Sequence, residues 1–187
     1  MQQIFFLGFM TIIYIVTRIF SRIKGNGEKN WKEEIGSFVF WEFIFGLIGV
    51  SLLPIYIRIG YQPTWSDIDI NLIPFHFIKE FFGLIKEDAF YIQVAIKNVI
   101  GNLILFMPLG FLIPMRTKRP MKVSRVLLIC LCSSLTIEIM QTVERFLGIG
   151  LRIADIDDII LNCIGGGIGF VIYKIYRRWS CQYLCSL

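Results

Sequence analysis

The sequence predicts an all-α membrane protein: a bundle of five transmembrane helices, with an additional amphipathic helix in the membrane interface at the outer face. Of the 187 residues, 56% are hydrophobic and only 18% are charged, whereas a soluble domain has about 25% charged and about 45–50% apolar residues. Five segments are also apolar over roughly 20 residues, the length that crosses a bilayer core. The composition excludes a soluble globular protein and a disulfide-stapled secreted module, and we expect residues 1–187 to form a single domain.

The five predicted spans follow one another along the chain. They are placed at about 3–21, 35–57, 95–115, 123–146 and 155–177. No basic segment or cleavage pattern of a signal peptide precedes the first span, which is therefore expected to be retained. Pro108 is expected to kink the third span, because proline removes a backbone hydrogen bond. In the fifth span, Gly165 and Gly169 form a small-residue face that lets another helix approach closely.

The cationic residues predict the orientation of the bundle. Five spans place the first connection, the third connection and the C-terminal end on the same side. Thirteen of the 19 Lys and Arg residues lie there: Arg18, Arg22, Lys24, Lys29, Lys32, Arg116, Lys118, Arg119, Lys122, Arg125, Lys174, Arg177 and Arg178. Because Lys and Arg gather on the cytoplasmic side of membrane helices, we expect the N-terminus outside the cell and the C-terminus inside. The net charge of +5 then reflects topology, and no nucleic-acid partner is predicted.

The second connection, at about residues 58–94, contains the amphipathic segment. One face carries Ile78, Phe81, Phe82 and Ile85, and the opposite face carries Lys79, Glu80, Lys86 and Glu87. A helix with this pattern lies in the membrane interface with its aromatic residues facing the lipid. A helix packed against the outer mouth of the bundle would show the same pattern, and the sequence favours neither alternative.

Several kinds of site are not indicated. No motif pairs the five cysteines, so their thiols are expected to be reduced. The only histidine, His76, has no second histidine nearby, and no metal site or cofactor is predicted. A divalent cation bound by the acidic residues of the last span is left open.

Polar side chains inside the last three spans are expected to meet at matched depths. They are Asn98 and Asn102 in the third span, Glu138 and Gln141 in the fourth, and Asp155, Asp158 and Asn162 in the fifth. Spacings of three or four residues place each set on one helix face. Asn102, Glu138 and Asn162 lie roughly 10–12 Å below the outer ends of their helices, at about 1.5 Å per residue. Because such side chains are costly in lipid and mark function, the pattern predicts one polar pocket open to the outside.

Structural roles compete with this interpretation. Asp155 and Asp158 fit an N-cap and its capping partner, and the amides can join helices by hydrogen bonds. Glu138 is the residue that a structural role explains least well. A carboxylate about 10 Å below the outer end of its helix must be protonated, paired with a cation or hydrated. Arg145 and Arg152 are close enough in sequence to pair with the acidic groups.

Further residues are predicted to line the rim or to act in chemistry. Asn71, His76 and Arg145 are placed at the rim. Asp157 points about 200° away from Asp155 around the helix axis, and is interpreted as an interfacial carboxylate. Paired carboxylates can act as general acid and base. The catalytic candidates are Glu138, Asp155, Asp157 and Asp158, and the binding candidates are Asn98, Asn102, Glu138, Gln141, Arg152, Asp155, Asp158 and Asn162.

Four segments that carry these residues resemble motifs of the VanZ-like family. Residues 71–75 are similar to its N-L-x-P-F motif, 102–111 to N-x-x-x-F-x-P-x-G, 138–141 to E-x-x-Q, and 152–162 to R-x-x-D-x-D-D-x-x-x-N. The resemblance covers about residues 70–170, in order, whereas the first 60 residues match only as hydrophobic helices.

The resemblance implies a multi-pass protein of the bacterial cell membrane. The family takes its name from a protein that accompanies glycopeptide-resistance clusters and raises resistance to teicoplanin-type antibiotics. The implied partners are membrane lipids and either a cell-wall precursor lipid or the antibiotic. An enzyme that modifies a lipid-linked or surface glycan, using Glu138 and the three aspartates, is the alternative. A transporter or flippase subunit is the weakest candidate, because five spans contain no inverted repeat.

Overall fold

A computed structural model describes residues 1–24, 31–57, 60–61, 64, 70–78, 89–117 and 120–185. These residues include five long helices, α1 (Gln2–Ile23), α2 (Trp31–Leu52), α3 (Ala89–Arg116), α4 (Val123–Phe146) and α5 (Ile156–Cys185), and two short strands, β1 (Ile70–Asn71) and β2 (Ala154–Asp155). Each helix is long and apolar enough to cross a membrane, which confirms the prediction of an all-helical chain with five spans. The proposed interfacial helix falls mainly on residues 79–88, outside the described residues, and the orientation of the termini stays a prediction.

Helix α2 differs from its predicted bounds at both ends. It ends at Leu52, five residues before the predicted end, because Pro54 lacks an N–H and disfavours helical backbone at the residue before it. It begins at Trp31, with Glu33 and Glu34 in its first turn, where negative side chains stabilise the positive end of the helix dipole. Pro108, in contrast, lies inside the continuous helix α3.

The two N-terminal helices pack as a pair. No residue of α1 is buried, and its contacts are chiefly with α2. Arg18 forms an ion pair with Glu34, and Thr11 donates a hydrogen bond of 3.0 Å from Oγ1 to Oε2 of Glu42. These polar contacts join two helices whose other faces are apolar and exposed, as expected for surfaces that contact lipid.

Helices α3 and α5 approach each other closely along a line of glycines. A Cβ atom on Gly165 would overlap the carbonyl oxygen of Leu103, and one on Gly169 would overlap that of Met107. Gly110 of α3 faces the backbone of Gly166 in the same way. The predicted small-residue face is therefore confirmed, and α3 is its partner.

The hydrophobic core fills the halves of α3, α4 and α5 that lie away from the two strands, with one residue added from α2. It contains Leu47, Phe106, Leu109, Val126, Cys130, Phe170 and Tyr173. This core and the glycine contact fix the three helices relative to one another, so that polar residues at their other ends keep a defined arrangement.

Candidate functional site

A polar cavity of about 740 Å³ lies where the first turns of α5, the end of α4 and the N-terminal half of α3 meet the two strands. Its walls are formed by Ile70, Asn71, His76, Asn98, Asn102, Gln141, Leu151, Arg152, Ile153, Asp155 and Asp158. Asn98 and Arg152 are exposed, so the cavity is open at the protein surface.

A two-residue parallel bridge brings residues 70–78 to this end of the bundle. Ile70 pairs with Ala154, and Asn71 pairs with Asp155. The side chain of Asn71 also donates a hydrogen bond of 3.1 Å from Nδ2 to Oδ1 of Asp155. The bridge places Asn71 and His76 on the cavity wall, although they lie about 80 residues before β2 in the chain.

The side chain of Asp157 also binds the segment formed by residues 70–78. Its carboxylate accepts hydrogen bonds from the backbone N–H of Phe75 at 2.5 Å and of Phe77 at 2.9 Å, and the residue is only 2% exposed. Phe75 has a φ of +62°, a conformation that is uncommon for a bulky residue. Asp157 is therefore buried within the protein and holds residues 75–77 in place, and its depth relative to the membrane interface stays a prediction.

Glu138 fastens the start of α5 to α4. Its Oε2 accepts a hydrogen bond of 3.0 Å from the backbone N–H of Asp155, and the side chain is 7% exposed. Asp155 in turn accepts a hydrogen bond of 2.9 Å from the N–H of Asp157, as an N-terminal cap does. Glu138 thus lies behind the wall that Asp155 forms, rather than on the wall.

The amide and acid of α3 and α5 meet across the cavity. Asn102 donates a hydrogen bond from Nδ2 to Oδ1 of Asp158, and both side chains line the cavity. Asn98, one turn from Asn102, makes no hydrogen bond with the described residues and faces the same space. Asp158 and Asn98 therefore retain donor or acceptor positions for a ligand.

A deeper polar layer joins helices without reaching the cavity. Asn162 donates a hydrogen bond of 2.8 Å from Nδ2 to Oγ of Ser134, and both residues are buried. Gln141 lies higher, on the wall, and donates to the carbonyl oxygen of Ser51 at 2.9 Å. Asn162 thus has the helix-joining role that was the structural alternative for the amides.

Each of the two arginines donates a hydrogen bond to a backbone carbonyl oxygen. Arg152 donates from Nη2 to the carbonyl oxygen of Val50 at 2.9 Å, and Arg145 donates from Nη1 to that of Leu151 at 3.2 Å. A guanidinium has five N–H donors. Arg152, which lines the cavity and is exposed, therefore keeps N–H donors that make no hydrogen bond with the described residues.

The structure brings together eight of the predicted residues on the cavity wall: Asn71, His76, Asn98, Asn102, Gln141, Arg152, Asp155 and Asp158. Glu138, Arg145, Asp157 and Asn162 lie outside the wall. Ile70, Leu151 and Ile153 were missed, since nothing in their apolar side chains signals a polar site. Among the residues that the structure describes, no three His, Cys, Asp or Glu side chains are grouped so that they could hold a metal ion.

The comparison with family models indicates the same family as the four sequence motifs. A model described as VanZ/LLP1 matches residues 6–177. The chain belongs to the VanZ/LLP1 family. The match includes most of α1 and all of α2, which the four motifs did not reach. No curated protein and no solved structure matches the chain significantly.

The VanZ/LLP1 motif residues have separate structural roles in this chain. Within the segment 102–111, Asn102 binds Asp158, Phe106 is fully buried in the core, and Gly110 provides the close approach to Gly166. One motif therefore combines a cavity residue with residues that fix the helix carrying it.

Proposed function

We propose that this VanZ/LLP1 protein acts in the bacterial cell membrane and lowers sensitivity to teicoplanin-type glycopeptides. Its polar cavity binds the head group of a cell-wall precursor lipid, or part of the antibiotic itself. The observation that supports this is the combination of Arg152 with Asp155 and Asp158 around one open cavity of about 740 Å³. That volume lies within the range of small-ligand sites, roughly 300–1,000 Å³.

The side chains on the cavity wall suit a ligand that carries both a negative and a positive group. The guanidinium of Arg152 matches phosphate or carboxylate oxygens, with which it forms strong charge-assisted hydrogen bonds. The carboxylates of Asp155 and Asp158 match ammonium and amide donors. Asn98 and Asn102 add amide groups, which can both donate to and accept from sugar hydroxyls and peptide groups.

A membrane enzyme that modifies a lipid-linked or surface glycan is the second candidate. The observation in its favour is that two carboxylates, Asp155 and Asp158, line the same cavity, as general acid–base catalysis requires. Glu138 and Asp157 are less suited to direct catalysis, because neither side chain lines the cavity. Conversion of a lipid-linked glycan by the purified protein, lost in Asp158→Asn, would favour the enzyme over the binding protein.

The first prediction concerns the side of the membrane on which the cavity opens. In a cysteine-free background, Thr64→Cys and Pro120→Cys are expected to lie on opposite sides, because Lys and Arg concentrate at the Pro120 end. A membrane-impermeant maleimide applied to intact cells should label Thr64→Cys only, and should label both after permeabilisation. Labelling of Pro120→Cys alone in intact cells would reverse the orientation and contradict an extracellular cavity.

The second prediction tests the cavity. Arg152→Gln and Asp158→Asn are each expected to weaken head-group binding about 10- to 100-fold, because each removes a charged hydrogen-bonding partner. Binding of a lipid-linked cell-wall precursor and of teicoplanin to the purified chain is measured separately, which distinguishes the two ligands. In cells, expression of the wild-type chain should raise the inhibitory concentration of teicoplanin, and both variants should lose that increase.

Glu33→Gln serves as the matched control for this experiment. Glu33 is an exposed acidic residue in the first turn of α2, outside the cavity, so its substitution is expected to leave binding and resistance unchanged. Equal teicoplanin sensitivity of cells with and without the wild-type chain, when the protein is present in the membrane, would contradict the proposed role.

A further inference from the structure

A second groove lies at the other end of the bundle, remote from the polar cavity. The C-terminal part of α5 and the first residue of α4 enclose about 340 Å³. The groove is lined by Val123, Phe170, Val171, Lys174, Ile175 and Arg178. The five residues from α5 recur every three or four positions, so they form one continuous stripe of the helix.

The groove changes from apolar to cationic along its length. At about 1.5 Å per residue, Phe170 lies about 15 Å before the end of the span at Ser180, Lys174 about 9 Å and Arg178 about 3 Å. The Nζ atom of Lys174 lies 5.5 Å from the centre of the Phe170 ring, so this ammonium packs over the aromatic residue, and Arg178 is the cation nearest the end of the span. An apolar deep end and a cationic shallow end match the acyl chain and phosphate of a phospholipid.

The cations that line this groove have no acidic partner among the residues that the structure describes. No Asp or Glu occurs in residues 118–137 or 159–187. Lys174 and Arg178 are exposed, and neither forms an ion pair with a described residue. Both cations are therefore available to an anionic ligand.

We propose that this groove binds one phospholipid with a net negative head group that lacks an ammonium group. Its phosphate lies at Lys174 and Arg178, and one acyl chain follows Phe170, Val171 and Ile175. A zwitterionic head group is disfavoured, because its ammonium would lie beside two cations with no carboxylate to pair with it. This site is independent of the function proposed for the polar cavity.

Native mass spectrometry of the purified full chain tests the site. The detergent-solubilised protein is given equal amounts of phosphatidylglycerol and phosphatidylcholine with the same acyl chains. The wild-type chain is expected to retain phosphatidylglycerol roughly 25-fold over phosphatidylcholine, since each of two cations contributes about a fivefold preference for anionic lipid. Lys174→Gln/Arg178→Gln should bring the ratio close to one, while Lys174→Arg should keep it.

Arg177→Gln is the matched control, because Arg177 neighbours Arg178 but does not line the groove and donates instead to Oη of Tyr173. It is expected to keep most of the preference. Equal retention of both lipids by the wild type, or the same loss in Arg177→Gln as in the double variant, overturns the proposal. Displacement of phosphatidylglycerol by millimolar inorganic phosphate also overturns it, because the site would then bind phosphate alone. If the double variant loses its helical circular dichroism, Lys174→Gln and Arg178→Gln are compared singly, and no loss in either refutes the site.

Discussion

Gly169→Leu is expected to prevent the chain from forming a stable bundle. A Cβ atom at position 169 would overlap the carbonyl oxygen of Met107 and come within 3.1 Å of the backbone nitrogen of Phe111. These are backbone atoms of the facing helix, so no side-chain rotation can relieve the overlap, and α3 and α5 must separate. We expect a loss of roughly 4 kcal/mol or more in the free energy of unfolding, since overpacking typically costs about 1–3 kcal/mol where the structure can adjust.

Thermal unfolding of the purified chain, followed by circular dichroism, measures this effect, with Gly167→Ala as the control. A Cβ on Gly167 meets only Cδ2 of Leu127 at 3.6 Å, which is ordinary van der Waals contact. Because alanine favours a helix over glycine by up to about 1 kcal/mol, the control should be neutral or slightly stabilising. Equal melting temperatures for Gly169→Leu and Gly167→Ala would show that the helices are not in this close contact.

Loss of the α3–α5 contact would also remove the cavity. Asn102 is on α3 and Asp158 is on α5, and their hydrogen bond requires the spacing that the glycines set. Gly169→Leu protein that does reach the membrane is therefore expected to bind no head group. Both the stability of the bundle and the binding of a head group are therefore expected to depend on the contact between α3 and α5.

The spans and the small-residue face could be predicted because their signals are local. Twenty apolar residues are visible in any window of the sequence, and the spacing of Gly165 and Gly169 places them on one face of a single helix. Helix geometry also placed Asn102 and Asp158 in one polar pocket, but the estimated depths grouped Asn102 with Glu138 and Asn162, whereas its partner in the structure is Asp158.

The contacts of Asp157 and Glu138 could not be predicted in this way. Both carboxylates bind backbone N–H groups, which every residue except proline carries, and so the sequence does not mark the partner. For Asp157 the partners are Phe75 and Phe77, about 80 residues earlier in the chain. The β1–β2 bridge is equally hidden, because two residues per strand give no periodic pattern.

Asp157→Ala is expected to release residues 70–78 from the cavity. The substitution removes the acceptor of two backbone hydrogen bonds, one of them from Phe75, whose φ of +62° is uncommon for a bulky residue. We expect a loss of roughly 2–4 kcal/mol in the free energy of unfolding, because hydrogen bonds to charged groups contribute about 1.5–3 kcal/mol each and the freed amides can reach water. Hydrogen exchange at Phe75 and Phe77 should become at least about tenfold faster, the factor that corresponds to roughly 1.4 kcal/mol.

The comparison of Asp157→Asn with Asp157→Ala separates the charge from the geometry. An asparagine keeps one acceptor oxygen but turns an NH₂ group toward the second backbone N–H, so one of the two hydrogen bonds must break. Its exchange rates should lie between those of the wild type and Asp157→Ala. Because Asn71 and His76 lie on the released segment, head-group binding should weaken in the same order. Unchanged exchange at Phe75 and Phe77 in Asp157→Ala would show that the β1–β2 bridge alone positions this wall.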